Sequence, residues 1–550
     1  MTLIASTLRP ALAVELVRDG KPVAEIRTTA DAPESVKRAA AELQKYVKLA
    51  SGAELSINPP DFDRWQNKVY LGQAALDQDS TLQKIPALED QVCIKATTDA
   101  LYIFGLDSSD EIPFAVTSHF SLPPKIGTLL STYAFLHKFV GVRWFLPGEM
   151  FEEVPQMHTI AVDPVLFTQK PWFFQRCLWG QCTMRNRQSD WDWFYRNRTM
   201  PFIRGYHAAH NYSGLIPPDK YLTSDPDLFA MTSDGRRVQT QLCTSNPKTV
   251  EMVTEKVKEF FRANPNAPTC SIGPNDDAGI QDFCQCTDCL AKDKIDGNTG
   301  ISRRIWEFNN KVAREVAKEF PNKVLTCYAY SSYFYPPKDF KLEPNLGVYI
   351  CIWAGVGAWS DSKVEAQDKQ VLLDWLAAGA NPANMQIYEY YGYNGTRVPR
   401  VNAWEMGEEL RFLKSNGIHL AMVQVHSITP QAFDLYALQH LLWDPDLNVD
   451  NLLSDFCAGM FGPGKDAMIK YHKTLHRLQL EKKDILRGKG LPDLRACIDQ
   501  AKKAVGNDSH YLARVESMES MLKLVELTVT VEQKHKEWEK ERGLNEKTTN

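Results

Sequence analysis

The chain has 550 residues, a formal net charge of -5, 44% hydrophobic residues and 24% charged residues, which is material for two to four ordinary globular domains. Both signs of charge are mixed along it, with no basic stripe and no polybasic run, so neither a nucleic-acid partner nor a membrane-surface partner is expected. No apolar run reaches the ~18 residues that a membrane-spanning helix needs.

The N-terminal MTLIASTLRPALAVELV has a short apolar stretch and an Ala-Leu-Ala, but Arg9-Pro10 interrupts it and no basic segment precedes it. An intact signal peptide is therefore not expected, and the compartment stays open. AVELVRDGKPVAEIRT alternates like a strand pair across an Asp-Gly turn. APESVKRAAAELQKYVKLASGAEL has helical apolar spacing and ends at Ser-Gly. KVYLG, QVCIKATTDALYIFGL and a helical GTLLSTYAFLHKFVGV complete an α/β N-terminal domain over 1–165.

From 166 to 443 short apolar strands alternate with amphipathic helices. Eight strands are predicted, at 173–180, 200–207, 238–244, 269–273, 323–330, 347–354, 384–391 and 419–426, with helices at 247–262, 301–319, 364–378, 403–415 and 430–442. Eight strand–helix units in this length match a (β/α)8 TIM barrel; an open doubly wound sheet would also alternate, but no Gly-x-Gly-x-x-Gly fingerprint is present. Residues 444–550 read as a helical C-terminal domain, with a long helix or helix pair near the end.

Barrel active sites lie at the C-terminal strand ends. Those ends offer Arg176 and Trp179 (first strand), Arg204, His207 and His210 (second), Asn275, Asp276 and Asp277 (fourth), Tyr330 (fifth), Trp353 (sixth), Glu389 and Tyr390 (seventh) and His426 (eighth). Glycoside hydrolysis needs two carboxyl groups, one to protonate the leaving oxygen and one to attack the sugar or activate water. Asp276 or Asp277 as acid and Glu389 as base or nucleophile fit that need. Arg, His and Asn could bind hydroxyls, and Trp or Tyr could stack on the sugar. No cofactor is needed for such chemistry. The bland readings are a salt-bridged Glu389 and a helix-capping Asp-Asp turn.

Directly after the aspartates, Cys284, Cys286 and Cys289 stand in a Cys-x-Cys-x-x-Cys spacing. That suits a structural zinc with a fourth ligand from elsewhere, such as Cys243 or a histidine, or a disulfide. Cys270, Cys177 and Cys182 could also lie near them. Either way the cluster reads as a staple for the loop after the fourth strand. Cys93, Cys327 and Cys351 read as buried strand residues.

The segments AAAELQKYVKLASGAEL, VYLG and GTLLSTYAFLHKFVGVRWFLPGE resemble the N-terminal domain shared by alpha-glucuronidases and beta-hexosaminidases. QLCTSNPKTV, SIGPNDDAGIQDFCQCTDC and FNNKVAREVAKEFPNKVLTCYAYSSYFYPP resemble the bacterial domain of unknown function 4838 family, whose members look like glycosidase barrels. The resemblance spans about residues 14–480. It implies a glycoside hydrolase-type barrel in a secreted or periplasmic setting, and no substrate; the expected function is an exo-acting glycoside hydrolase on a polysaccharide or glycan, and a homodimer stays open. The family pattern Ser-Pro-Asn-Asp-Gly places its aspartate at Asp276, with Asp277 extra. The resemblance to hexosaminidases raises an alternative, a substrate-assisted N-acetylhexosaminidase in which Asp276 and Asp277 act together. A non-catalytic carbohydrate-binding barrel and a lyase using Tyr or His are the remaining alternatives.

Overall fold

The structure is a computed structural model. It describes residues 13–60, 65–86, 88–109, 124–180, 188–200, 205–276, 279–297, 300–352, 358–392, 399–425, 428–482, 485 and 488–542.

β1 (Val14–Arg18) turns through Asp19-Gly20, with φ of 49° and 72°, into β2 (Lys21–Pro22), and β3 (Ala24–Arg27) follows. α1 (Glu34–Ser51) buries Val36, Ala39, Leu43, Tyr46 and Val47 on one face. It stops at Gly52, whose φ of 77° suits a residue without a side chain and whose N–H bonds the Lys48 carbonyl. The following strands are β4 (Ser56–Ile57), β5 (Asn67–Leu71), β6 (Val92–Ala96) and β7 (Ala100–Phe104). α2 (Gly127–Phe135), β8 (Arg143–Trp144), β9 (Glu152–Glu153), β10 (Ile160–Val162) and β11 (Val165–Gln169) come next. They form a six-stranded mixed sheet in the order β11-β6-β7-β5-β3-β4 and a three-stranded sheet β10-β1-β2.

A second six-stranded sheet is parallel and curled. Its members are β12 (Gln175–Trp179), β15 (Thr269–Ser271), β16 (Val324–Ala329), β17 (Leu346–Ile352), β18 (Gln386–Gly392) and β19 (Leu420–Val425), in the order β12-β19-β18-β17-β16-β15. Six of the eight predicted strands are these. β17 is buried at every residue, as a strand covered on both faces must be. The helices along this part of the chain include α3 (Gln188–Arg196), α4 (Tyr212–Leu215), α5 (Pro247–Ala263), α6 (Thr287–Ile295), α7 (Ser302–Ala317), α8 (Ser362–Ala377), α9 (Ala403–Ser415) and α10 (Ala432–Trp443), and of these α7 and α8 pack on β17.

Of the other two predicted strands, one differs. The 238–244 stretch does form a strand, β14 (Arg237–Leu242), but it pairs antiparallel with β13 (Phe229–Met231) outside the large sheet. Only Gln241 and Leu242 of its residues are buried, which a central barrel strand would not tolerate. Of the 200–207 stretch, residues 201–204 lie outside the described residues, and Met200 makes a parallel bridge to Cys177. Further on, residues 205–211 run along the β15 edge, held by a His210–Gly273 bridge and by side-chain hydroxyls in place of a ladder. The Thr269 Oγ1 hydroxyl donates to Gly205 O (2.6 Å), and that of Ser271 donates to Ala209 O (2.7 Å). Gly273 permits this approach, because a Cβ there would sit 2.7 Å from the Ala209 carbonyl oxygen.

The chain ends in helices α11 (Val449–Phe461), α12 (Lys465–Leu480), α13 (Leu491–Val505) and the 33-residue α14 (Ser509–Glu541). Arg514 of α14, fully buried, reaches back to the β9 region: it donates to Met150 O (2.6 Å) and Glu152 O (2.7 Å) and pairs with Glu153 (2.8 Å).

Candidate active site

The parallel sheet places its C-terminal strand ends on one side, and the Gly273–Asp276 loop leaves β15 there. Asn275 is its anchor. Its Oδ1 accepts from Ser213 N (2.9 Å), its Nδ2 donates to Thr240 O (2.9 Å), and its backbone N–H and C=O both bond the Gln241 amide (3.0 and 2.7 Å). With those groups engaged, Asn275 positions the loop rather than reading a sugar hydroxyl as expected. Asp276, next in the chain, is 69% exposed at its side chain and lies 3.7 Å from His210 Nε2. The other ring nitrogen, His210 Nδ1, bonds the Pro274 carbonyl at 2.8 Å. A carbonyl only accepts, so Nδ1 carries hydrogen and Nε2 is the atom turned to Asp276.

Strand alternation puts one set of side chains inside the curl. At its base Gln175 donates to Gln386. Above them sit Cys177, Met422 and Tyr388, whose hydroxyl donates to Gln424 Oε1 (2.9 Å). Toward the strand ends come Tyr328, Tyr349, Cys351 and Tyr390. The His210 ring packs on Tyr328 and Tyr330, with centroids 5.1 and 5.7 Å away. Beyond Tyr330 opens a cleft of about 620 Å³ whose walls include Tyr330, Tyr335, Cys351, Gln367 and Asp368. That volume is in the range of small-molecule sites. Asp368, on α8, is 7% exposed. Burial pushes its carboxyl up to about 6, against the pull of a hydrogen bond from Trp359 Nε1 to Oδ2 (3.1 Å). Sequence reading passed over Asp368, because nothing in SKVEAQDKQVLLDWLA marks one acid of an amphipathic helix as buried.

The same alternation turns Glu389 the other way. Tyr388 and Tyr390 face the interior; Glu389 lies between them in register, on the face covered by helices. It is 6% exposed, beside Glu409 of α9, and Tyr391 donates its phenol hydrogen to Glu409. Burial pushes the Glu389 carboxyl well above the carboxylate range, and the charge of Glu409 pushes it further. Glu389 therefore favours its neutral, protonated form under α9. The expectation that Asp276 and Glu389 confront each other across one pocket does not match this placement.

Arg176 is also on the outer face. It is fully buried, pairs with Asp90 (2.8 Å), and donates to Phe173 O and Arg198 O, so the expected sugar contact is corrected to a structural ion pair. His207 runs along the β15 edge, its N–H bonded to Thr269 Oγ1 (3.2 Å). Tyr330 lines the cleft and Tyr390 lies inside the curl. Arg204, Asp277, Trp353 and His426 lie outside the described residues, as does the Trp179 side chain.

Cys284, Cys286 and Cys289 gather with Cys243, each sulfur within 4.8 Å of every other. Among the other cysteines named from sequence, Cys177 faces Met422 and Cys270 packs in the main core, both away from this cluster; Cys182 lies outside the described residues.

Residues 146–473 match the model of a family described as Domain of unknown function (DUF4838). The chain belongs to that family. Its fold is similar to that of a family GH115 4-O-methyl-alpha-glucuronidase, BtGH115A, at 11% identity over 94% of this chain and 73% of that one, with a TM-score of 0.57. It is also similar to a family 89 glycoside hydrolase from Clostridium perfringens, at 12% identity over 88% of this chain and 60% of that one, with a TM-score of 0.50. A beta-N-acetylhexosaminidase from Bacteroides fragilis aligns at 11% identity over 78% of this chain and 88% of that one, with a TM-score of 0.41. No curated protein matches. The DUF4838 chain thus has a glycoside hydrolase-like fold, in agreement with the resemblance drawn from its residues.

Proposed function

We propose that this protein is a glycoside hydrolase whose reaction centre lies at the mouth of the parallel sheet. The observation that carries this reading is the Asp276–His210 pair, exposed at the end of β15 beside a tyrosine-walled cleft. The GH115 and family 89 fold neighbours, with TM-scores of 0.57 and 0.50, are by their printed names enzymes of glycosidic bonds. In this reading residues 205–211 along the β15 edge continue the curl toward a barrel, and 1–165, 166–443 and 444–550 are its three domains.

Asp276 is the general acid, protonating the leaving oxygen, and His210 resupplies its proton. Asp368, rather than Glu389, is the second carboxyl. A carboxyl raised to about 6 is a stronger base than an ordinary one and is still ionised at neutral pH, as activation of water requires. Trp359 occupies Oδ2 and leaves Oδ1 for that water. Tyr330 and Tyr335 offer ring faces for the sugar.

The test is a panel of aryl glycosides, including uronides and N-acetylhexosaminides, with wild type and the Asp276→Asn, Asp368→Asn and Glu389→Gln variants. Loss of ~10²–10⁴-fold in kcat/KM for the first two and retention in the third is expected, since a positioned acid or base contributes about that much. Full turnover by Asp276→Asn overturns the reading. Sugar binding with no turnover by wild type would mark a binding protein, and unsaturated products would mark a lyase. Turnover of N-acetylhexosaminides alone, lost with Asp277→Asn and kept by Asp368→Asn, would favour substrate assistance.

A further inference from the structure

Four thiols from two separate segments meet behind the Asp276 loop. Cys243 follows β14 and is fixed by its N–H bond to Leu228 O (2.8 Å). Cys284 and Cys286 lie in the loop leading to α6, and Cys289 is in the first turn of that helix. Cys243, Cys284 and Cys289 are at most 3% exposed and Cys286 is half-buried. Every Sγ–Sγ separation is within 4.8 Å, with Cys243 3.8 Å from Cys286 and 3.9 Å from Cys289. A disulfide needs about 2.05 Å. A tetrahedron of sulfurs, each ~2.3 Å from a central zinc, has edges of about 3.8 Å. The cluster has the dimensions of the second, and all four cysteines are free.

The surroundings suit a bound cation held by thiolates. The Met231 N–H points at Cys284 Sγ (3.3 Å), and Arg237 Nη1 approaches the same sulfur at 3.9 Å. The buried Arg304 guanidinium donates to the Cys284 carbonyl. Such donors and positive charges offset the net negative charge of a tetrathiolate zinc. The cluster sits in its own small apolar pocket with Ala230, Met231 and Val238, away from the main core. Packing alone does not account for four cysteines meeting there.

We propose that Cys243, Cys284, Cys286 and Cys289 bind one structural zinc ion, which fastens the loop carrying Asp276 to the β13–β14 hairpin. All four positions are filled by protein, so the metal has no open site for substrate and its role is to hold. The hairpin end it grips is the one whose Gln241 holds Asn275. Zinc and Asn275 thus clamp the loop from its two sides.

The experiment is metal analysis of the full-length protein purified without chelator, with cobalt replacement as a second readout. One zinc per chain is expected, with a cobalt form showing intense visible bands of tetrahedral geometry and thiolate-to-cobalt charge transfer. Cys243→Ser should lower zinc content at least about tenfold, since structural sites need all four ligands; Cys93→Ser should leave it unchanged. If the serine variant fails to fold, the cobalt spectrum of wild type still decides. Metal-free folded protein with four reactive thiols, a disulfide within the cluster by mass spectrometry, or iron as the bound metal would each overturn the assignment. None of these readouts depends on glycosidase activity.

Discussion

Asp368→Asn should make the protein more stable at neutral pH while removing its activity. The carboxyl is raised from 3.8 to about 6 because burial disfavours its charge. Two units correspond to about 3 kcal/mol of preference for the neutral form in the folded state. The unfolded chain ionises from about pH 4, so the folded state loses stability as pH rises from about 4 to about 6, and the deficit stays constant above that. Asparagine carries no charge, and its carbonyl oxygen can keep the Trp359 N–H bond. The variant should therefore match wild type near pH 4 and gain steadily to at most about 3 kcal/mol by pH 7. Urea unfolding followed through the same transition across that pH range measures the difference. In parallel, the acid limb of wild-type kcat/KM should fall off near pH 6 as Asp368 takes up its proton. Parallel stability curves for the two proteins would refute the burial argument. Retained activity in Asp368→Asn would refute its role as base while leaving the stability argument intact.

Other consequences follow from the same geometry. Glu389→Gln should leave kcat/KM unchanged and raise stability at alkaline pH, because the raised acid pair is stable while it keeps its proton and costs stability as pH rises; a loss as large as that of Asp276→Asn would show that β18 presents Glu389 to the mouth. Asn275→Ala removes two side-chain hydrogen bonds and should cost about 2 kcal/mol, with a drop in kcat from a loosened Asp276; an unchanged kcat would mean that Gln241 alone holds the loop. Arg176→Met should cost about 3–5 kcal/mol by breaking a fully buried ion pair with Asp90, without changing KM; a raised KM would return Arg176 to the substrate site.

The sequence made the strand positions legible but not which face each residue takes. Glu389 shows why. IYEYY is apolar or aromatic on both sides of the glutamate, as a strand covered on both faces must be, so no polar alternation marks its inner face. One residue of register decides between the mouth and the helix layer. The register is fixed by neighbours far away in the chain: Tyr388 pairs with Cys351 and Met422, and those pairings send Glu389 outward. Arg176 has the same history, next to an inward Cys177. Asp276 was readable for the opposite reason. It lies beyond the last ladder residue, in a turn spelled by Gly-Pro-Asn, where exposure does not depend on strand register. The cysteine cluster was readable in outline: three of its thiols share one short stretch, and Cys243, named from sequence among the candidates for a fourth, follows a strand whose antiparallel partner, not a barrel neighbour, brings it there. A site built on local turns can thus be found from sequence, and one built on cross-strand pairing waits for the fold. For this chain that difference separates Asp276, exposed in a turn, from Glu389, turned into the helix layer by the register of its strand.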